Sequence, residues 1–221
     1  MKDSFWFPIV FMLIIVIIFA GILSVMYRTS QPKIEAYQQE TYQKLILGTV
    51  AAKLAEVTEE TQQSIMDSYP ESYQTHVQEL DIPGLERRAF RAVVADSTIA
   101  YCFEIGGKGL WGTMQALVST STDFRTLLDL ALVSQQETPG LGARIEEDWF
   151  LAQFRNRLFV INPESDTDVT GSYEFIAETQ VPENDGQLKR VTGATITSDA
   201  VLKMLRDEMN HIYNYLRNKS L

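Results

Sequence analysis

Residues 4–27 read SFWFPIVFMLIIVIIFAGILSVMY and contain no charged side chain. A helix of about 20 apolar residues crosses the hydrocarbon core of a bilayer, so this stretch is long enough. Trp6 and Tyr27 stand at its two ends, where amphipathic rings prefer the membrane interface. The alternative is a cleaved signal peptide, but its apolar region typically spans only about 7–15 residues. The sequence therefore predicts an uncleaved transmembrane anchor in residues 1–29.

The rest of the chain has the length of one compact domain. The protein has 221 residues, of which 45% are hydrophobic and 22% are charged. Its net charge of -10 argues against nucleic acid as a partner, because phosphate binding needs clustered Lys and Arg. A single cysteine, Cys102, excludes an intramolecular disulfide and a cysteine-based metal site. His76 and His211 have no ligand-like spacing, so we expect no metal site.

The hydrophobic patterns predict an α+β fold: a transmembrane helix, then a single strand-rich domain flanked by helices. We expect residues 30–89 to be a helical connector that packs on the domain, with a possible break at Gly48 and a break near Pro70. Residues 90–221 are predicted to form the domain. Its expected strands are Arg91–Ala95, Ile99–Glu104, Met114–Ser119, Thr126–Leu132 and Gly171–Ala177. The turn signals are Asp96-Ser97, Gly106-Gly107 and Pro139-Gly140, and the expected helices are Glu146–Phe154 and Ser198–Arg217.

The stretch Val191–Val201, VTGATITSDAV, is typical of a small-residue turn that leads into an amphipathic helix. Thr197 or Ser198 could cap this helix by accepting a hydrogen bond from a backbone N–H. The start of a helix offers free N–H groups and partial positive charge, which suit a phosphate. Thr195 lies close to that start. A loop and helix cap without a ligand would explain the same residues.

Two further glycine-rich stretches precede it. Residues 137–142 read ETPGLG, which predicts a tight turn with exposed N–H groups, useful beside a phosphate or a planar ring. Residues 107–112 read GKGLWG. This pattern is typical of a hairpin turn, and Trp111 after it could either fill the core or contact a ligand. Taken alone, each stretch could be a simple turn.

In this order and spacing, the three stretches resemble motifs of the FMN-binding domain family. Its members include the G subunit of the Rnf electron-transport complex and the C subunit of the sodium-translocating NADH:quinone reductase. In that family the last threonine of a Ser/Thr-Gly-Ala-Thr motif is joined to FMN through a phosphoester. The matching residues are Thr192, Gly193, Ala194 and Thr195, followed by Thr197. Lys189 stands where the family often has Asp.

The resemblance implies one covalent FMN on Thr195. The other residues expected at the flavin are Thr192, Gly193, Ala194, Thr197, Glu137, Thr138, Gly140, Leu141, Gly142, Leu110 and Trp111. No Gly-x-Gly-x-x-Gly stretch opens a strand-to-helix turn, so no nicotinamide site is indicated and no complete catalytic site is expected in this chain alone. The implied role is an electron relay in an ion-translocating respiratory complex of either type. A stand-alone membrane-anchored flavin module for redox sensing or another oxidoreductase, and a subunit that has kept the fold without a flavin, are the alternatives.

The family also implies partners and a location. The expected partners are membrane subunits with flavin or iron–sulfur carriers, and a flavin transferase for maturation. The expected location is a prokaryotic inner membrane, crossed once, with the C-terminal domain on the outer face. Lys2 on one side of the apolar stretch and Arg28 and Lys33 on the other lean weakly towards a cytoplasmic domain. Because that charge difference is small, we follow the family.

Overall fold

The computed structural model describes residues 6–159 and 173–217. The chain divides after Tyr42 into two compact units. Helix α1 spans Trp6–Thr58, and its residues up to Tyr42 make up the described part of the first unit. The domain boundaries expected at residues 29 and 89 remain predictions.

The first unit is helical and its apolar side chains are exposed. The large hydrophobic side chains from Trp6 to Tyr27 are exposed or half-buried, as a lipid-facing surface requires. Within the described residues, α1 is the one helix long and apolar enough to cross a membrane. The helix continues through Pro32, and it also continues through Gly48, where the expected break is wrong. At Gly48 the flanking residues Leu47, Thr49 and Val50 are buried against the domain, and this packing outweighs the low helix propensity of glycine.

The second unit is built on a six-stranded antiparallel sheet in which each strand pairs with the next along the chain. Its strands are β1 (Val77–Leu80), β2 (Ala89–Val94), β3 (Ser97–Lys108), β4 (Thr113–Thr120), β5 (Thr126–Ser134) and β6 (Arg157–Leu158). A separate parallel pair consists of β7 (Glu174–Ile176) and β8 (Gln187–Lys189). The helices besides α1 are α2 (Gln62–Asp67), α3 (Glu71–His76), α4 (Asp148–Ala152) and α5 (Thr195–Arg217), with a 3₁₀ turn over Gly142–Glu146. The α+β fold class is confirmed.

The sheet is covered on both faces. On β3, Phe103 and Ile105 belong to the main apolar cluster with Met204 and Leu205 of α5. Cys102 faces the other way and its Sγ lies 3.6 Å from Oγ1 of Thr49 in α1. Such alternation is expected when successive side chains of a strand point to opposite faces. The buried Cys102 thiol, whose pKa burial raises to about 12, is a core residue, as the sequence predicted.

Four predicted strands and both helices are found, with shifted ends. Gly106-Gly107 is not a turn, because β3 continues to Lys108. A Cβ on Gly107 would lie 2.9 Å from Met204 Cβ, so the glycine permits the close approach of α5 to the strand. The helix expected over residues 146–154 is shorter, and it follows the 3₁₀ turn. Residues 171 and 172 of the fifth predicted strand lie outside the described residues, and its later part forms β7.

Candidate functional site

Sheet topology brings the first two glycine-rich motifs to the same end of the domain. Strands β3 and β5 run in the same direction on either side of β4, so their C-terminal ends lie at the same end of the sheet. Residues 109–112 form the turn after β3, closed by a 2.7 Å hydrogen bond from Gly109 N–H to Gly112 C=O. Residues 137–142 follow the end of β5. Helix α5 packs along β3, and the third motif leads into its first turn.

The carboxylate of Glu137 joins all three motifs. Its Oε1 accepts a hydrogen bond of 3.0 Å from the backbone N–H of Trp111. Its Oε2 accepts a hydrogen bond of 2.6 Å from the hydroxyl of Thr197. Glu137 is only 5% exposed, so both bonds satisfy oxygens that water reaches poorly. This side chain therefore fixes the Gly109–Gly112 turn against the start of α5.

Two glycines leave room for this carboxylate. A Cβ on Gly109 would collide with Glu137 Oε1. A Cβ on Gly142 would lie 2.8 Å from both Cβ and Oε2 of Glu137, and 2.9 Å from the hydroxyl oxygen of Thr197. Distances below 3.0 Å require the neighbours to move, so any larger residue at position 142 displaces the bridge.

Helix α5 begins at Thr195, earlier than the expected start at Ser198. Its first backbone hydrogen bond runs from Ser198 N–H to Ala194 C=O, at 2.9 Å. The N–H groups of Thr195, Ile196 and Thr197 therefore precede the helical ladder and have no acceptor within it. The expected capping role of Thr197 or Ser198 is wrong, because α5 begins at Thr195 and both residues lie inside its first turn, where the Thr197 hydroxyl donates to Glu137. Ser198 instead accepts a 3.1 Å bond from Val191 N–H and so closes the turn before the helix.

A cavity of about 400 Å³ opens where the three motifs meet. Its lining combines apolar side chains with backbone and hydroxyl groups: Leu110, Trp111, Glu137, Thr138, Leu141, Gly142, Gly193, Ala194, Thr195, Ile196 and Thr197. Four of the apolar residues are exposed, with Trp111 at 69% and Ile196 at 60% the most accessible. Trp111 is therefore not a core residue. Exposed apolar walls beside a helix start can hold a planar ring with a phosphate attached.

Ten of the twelve residues expected at the flavin line this cavity, and two do not. Gly140, with φ of +75°, shapes the turn that precedes Leu141. Thr192 is exposed, and its N–H bonds Glu178 instead. Ile196 lines the cavity but was not expected from the sequence. The sequence pattern could have indicated Ile196, since an apolar residue at this position falls outside the buried stripe of α5.

A second network holds the turn before α5. Glu178 accepts a 2.8 Å hydrogen bond from Thr192 N–H. Arg144, two residues after Gly142, binds both oxygens of Glu178 at 2.8 and 3.2 Å. The Arg144 guanidinium, followed by the Thr192 groups, lowers the pKa of the Glu178 carboxyl to about 2. The pair is about one-quarter exposed on each side.

Within the described residues, no group of histidine, cysteine and carboxylate side chains could hold a metal ion. His76 hydrogen-bonds the carbonyl of Val93 at 2.9 Å, and His211 is exposed.

Known proteins resemble this chain in sequence over part of its length. It is 30% identical over 134 residues to the G subunit of the proton-translocating ferredoxin:NAD(+) oxidoreductase complex of Clostridium ljungdahlii, covering 59% of this chain and 62% of that protein. It is 37% identical over 81 residues to the C subunit of the Na(+)-translocating NADH-quinone reductase of Vibrio alginolyticus, covering 34% of this chain and 32% of that protein. The chain thus spans less than two thirds of the length of these curated relatives.

A solved structure shares the fold. The crystal structure of the C subunit of the Na(+)-translocating NADH-quinone reductase from Parabacteroides distasonis matches with a TM-score of 0.54 and 20% sequence identity, over 82% of this chain and 94% of that one. Residues 109–210 match the FMN-binding domain, a range that includes the whole cavity lining. This match confirms the resemblance to the FMN-binding domain family that the order of the three motifs predicted.

Proposed function

We propose that this protein is a membrane-anchored electron-transfer subunit of an ion-translocating oxidoreductase complex, and that it carries one FMN covalently on Thr195. The observation that carries the proposal is the cavity at the start of α5, where an exposed threonine hydroxyl adjoins apolar walls and free N–H groups. The match to the FMN-binding domain and the similarity to subunits of Rnf-type and sodium-translocating complexes support it.

The choice of Thr195 rests on a comparison of three neighbouring threonines. Thr197 is 1% exposed, and its hydroxyl is held by Glu137. Thr192 does not line the cavity, and its backbone N–H is held by Glu178. Thr195 is exposed and lines the cavity at the first position of α5. Its hydroxyl is therefore the accessible nucleophile next to the positive end of the helix.

Attachment needs a flavin donor activated as a phosphoanhydride, such as a flavin dinucleotide, which a flavin transferase would present. Thr195 Oγ1 attacks the phosphorus on the flavin side, and a new P–O bond forms. The phosphoanhydride bond breaks, and the leaving nucleotide phosphate takes the bonding electron pair. The hydroxyl proton passes to a base of the transferase or to water, and no redox change occurs.

Different residues of the cavity would contact the phosphate and the ring of the flavin. The N–H groups of Thr195, Ile196 and Thr197 offer hydrogen bonds to the phosphate. Leu110, Trp111, Leu141 and Ile196 provide apolar surface for the ring and keep water from it. Glu137 holds the two sides of the cavity together. Bound FMN supplies the ability to exchange one or two electrons, which the side chains of this chain lack.

This arrangement suits a relay better than a complete enzyme. Electrons would enter from one redox centre and leave to another, and partner membrane subunits with flavin or iron–sulfur carriers would supply both. Membrane attachment through α1 keeps the domain beside such partners. A covalent tether also prevents loss of FMN by diffusion on the outer face of the membrane, where we propose that the domain lies.

Purification of the tagged chain from its native membrane under mild detergent tests this function. We expect flavin absorbance that stays with the denatured chain, and co-purification of membrane subunits that carry other redox centres. A flavin-bearing chain that is isolated alone, with no redox partner under conditions that preserve membrane complexes, would favour the stand-alone module. A chain without flavin would contradict the proposal altogether.

A further inference from the structure

The ion pair between Arg144 and Glu178 connects two motifs that the sequence keeps apart. Arg144 lies in the 3₁₀ turn directly after residues 137–142, and Glu178 lies in the loop that follows β7. Besides Glu178, Arg144 binds Glu147 through hydrogen bonds of 2.9 and 3.1 Å. Its guanidinium also lies over the ring of Trp149, 5.8 Å from the centroid. Arg144 is therefore held from three directions and presents Glu178 in a fixed position.

Glu178 in turn fixes the residue at the start of the Thr-Gly-Ala-Thr motif. Its carboxylate accepts a hydrogen bond of 2.8 Å from the Thr192 N–H. Gly193 follows with φ of +77°, and Ala194 N–H returns to Val191 C=O at 3.0 Å. The turn is thus tied at its first residue by Glu178. Its path to Thr195 then depends on one left-handed glycine.

The contacts of Arg144 and Glu178 also give Thr192 and Thr195, which are both exposed, different electrostatic surroundings. Arg144, Glu147 and Glu178 together carry one positive and two negative charges, so Thr192 lies beside a net negative cluster. An incoming flavin phosphoanhydride is itself negative and is repelled there. Thr195 lies at the positive end of α5, where a phosphate is stabilised. The lowered pKa of Glu178 also makes its carboxylate a weak base for activating the Thr192 hydroxyl.

We propose that the Arg144–Glu178 pair is a positioning device that selects Thr195 as the flavin acceptor, by tying down the Thr192 end of the turn and keeping the flavin phosphate away from the Thr192 hydroxyl. This inference rests on the proposed attachment of FMN to Thr195. It assigns roles to two residues that do not line the cavity. Both act through the turn and through the charge of Glu178.

The test measures the extent and the site of flavin attachment in the full chain, co-expressed with a flavin transferase. Glu178→Ala removes the hydrogen bond to the Thr192 N–H, and Glu178→Gln keeps the side-chain shape without its charge. Glu183→Ala, in the same loop and exposed, is the matched control. Peptide mass spectrometry locates the flavin, denaturing gel fluorescence gives its rate of attachment, and thermal unfolding reports whether each variant is folded.

We expect the rate of attachment at Thr195 to fall roughly tenfold in Glu178→Ala, the scale of a lost charge-assisted hydrogen bond. We also expect flavin on Thr192 to become detectable in both Glu178 variants, while the control behaves as wild type. Relocation to Thr192 is a result that general loosening of the fold does not produce. Adding Thr192→Val to either variant should remove the relocated flavin.

Attachment confined to Thr195 in the folded Glu178→Gln variant would overturn the selection, whether or not its rate falls. If Glu178→Ala does not fold, the Glu178→Gln variant alone decides the question. The wild-type protein separates this inference from the one on which it rests. A wild-type chain without covalent flavin, or with flavin elsewhere, contradicts the proposed function, whereas wild-type flavin on Thr195 with unaltered Glu178 variants contradicts only the selection.

Discussion

The bridge made by Glu137 can be tested by removing its carboxylate. Glu137→Ala deletes both hydrogen bonds that join the Gly109–Gly112 turn to the start of α5. The change leaves the Thr197 hydroxyl buried at 1% exposure without its acceptor. Trp111 lies at the open side of the cavity, where water can replace the carboxylate at its N–H. The two lost bonds therefore have unequal costs.

An unsatisfied buried hydroxyl costs about 1–3 kcal/mol, and replacement of the bond to Trp111 by water adds about 0–1 kcal/mol. The free energy of unfolding should therefore fall by about 2 kcal/mol, which lowers the unfolding temperature of a domain this size by about 4–8 °C. Glu137→Gln should lose much less, because its amide oxygen can still accept the Trp111 N–H and its amide nitrogen can bond Thr197.

A double-mutant cycle isolates the bridge from other effects. Glu137→Ala, Thr197→Val and the double variant are compared by thermal unfolding of the detergent-solubilised full chain, with Glu183→Ala as the exposed control. Because the two residues share one buried hydrogen bond, we expect a coupling energy of about 1–2 kcal/mol. Additive effects, within about 0.5 kcal/mol, would mean that the carboxylate and the hydroxyl do not depend on each other and would refute the bridge.

Three further predictions concern the anchor, the glycines and the ion pair. A chain that begins at Ser30 should remain in the soluble fraction without detergent, and a folded chain that still sediments with membranes would reveal a second membrane contact. Gly142→Val should lower both the unfolding temperature and the extent of flavin attachment, because its side chain would occupy the space of the Glu137 carboxylate, so wild-type values for both would argue against the close packing. Because the ion pair with Arg144 lowers the Glu178 pKa from 4.5 to about 2, this pair stabilises the fold above about pH 4.5 and stops doing so as the pH falls through 2. The difference in unfolding temperature between wild type and Glu178→Gln should shrink over that pH range, and a constant difference would mean that the charge of Glu178 contributes nothing.

The parts of the fold that local patterns determine could be predicted from the sequence. Residues 4–27 alone indicate the anchor, and alternation of apolar residues located four strands of the sheet. The stripe of apolar residues in α5 indicated its buried face, although the helix begins three residues earlier than expected. Short strands such as β6 and β8 were missed, because two or three residues carry too little alternation to be recognised.

The contacts that organise the site could not be predicted in this way. Glu137 and Thr197 are 60 positions apart, and only the path of β5 and the packing of α5 bring them together. Thr197 was expected as a cap, but α5 begins two residues before it, and its hydroxyl donates to a carboxylate that is distant in sequence. Arg144 and Glu178 are separated by 34 positions, and the loop that carries Glu178 has no periodic pattern.

Gly107 illustrates the same limit. A glycine pair near the end of an apolar run usually indicates a turn. Here it lies inside β3, where the close packing of Met204 leaves no room for a side chain on Gly107. The sequence contains both residues but not their distance, so the choice between a turn and a tightly packed strand required the tertiary structure.

The attachment of FMN to Thr195 is tested most directly by mass spectrometry of the wild-type chain and of Thr195→Val, which keeps the branched shape and removes the nucleophilic oxygen. In wild type we predict a mass increase equal to FMN less one water, located on the peptide that contains Thr195. The folded Thr195→Val variant should lack both this mass and the flavin fluorescence of its denatured band, while Thr192→Val should keep flavin on Thr195. A fluorescent Thr195→Val band, with the flavin on another hydroxyl, would contradict the assignment of Thr195 as the acceptor.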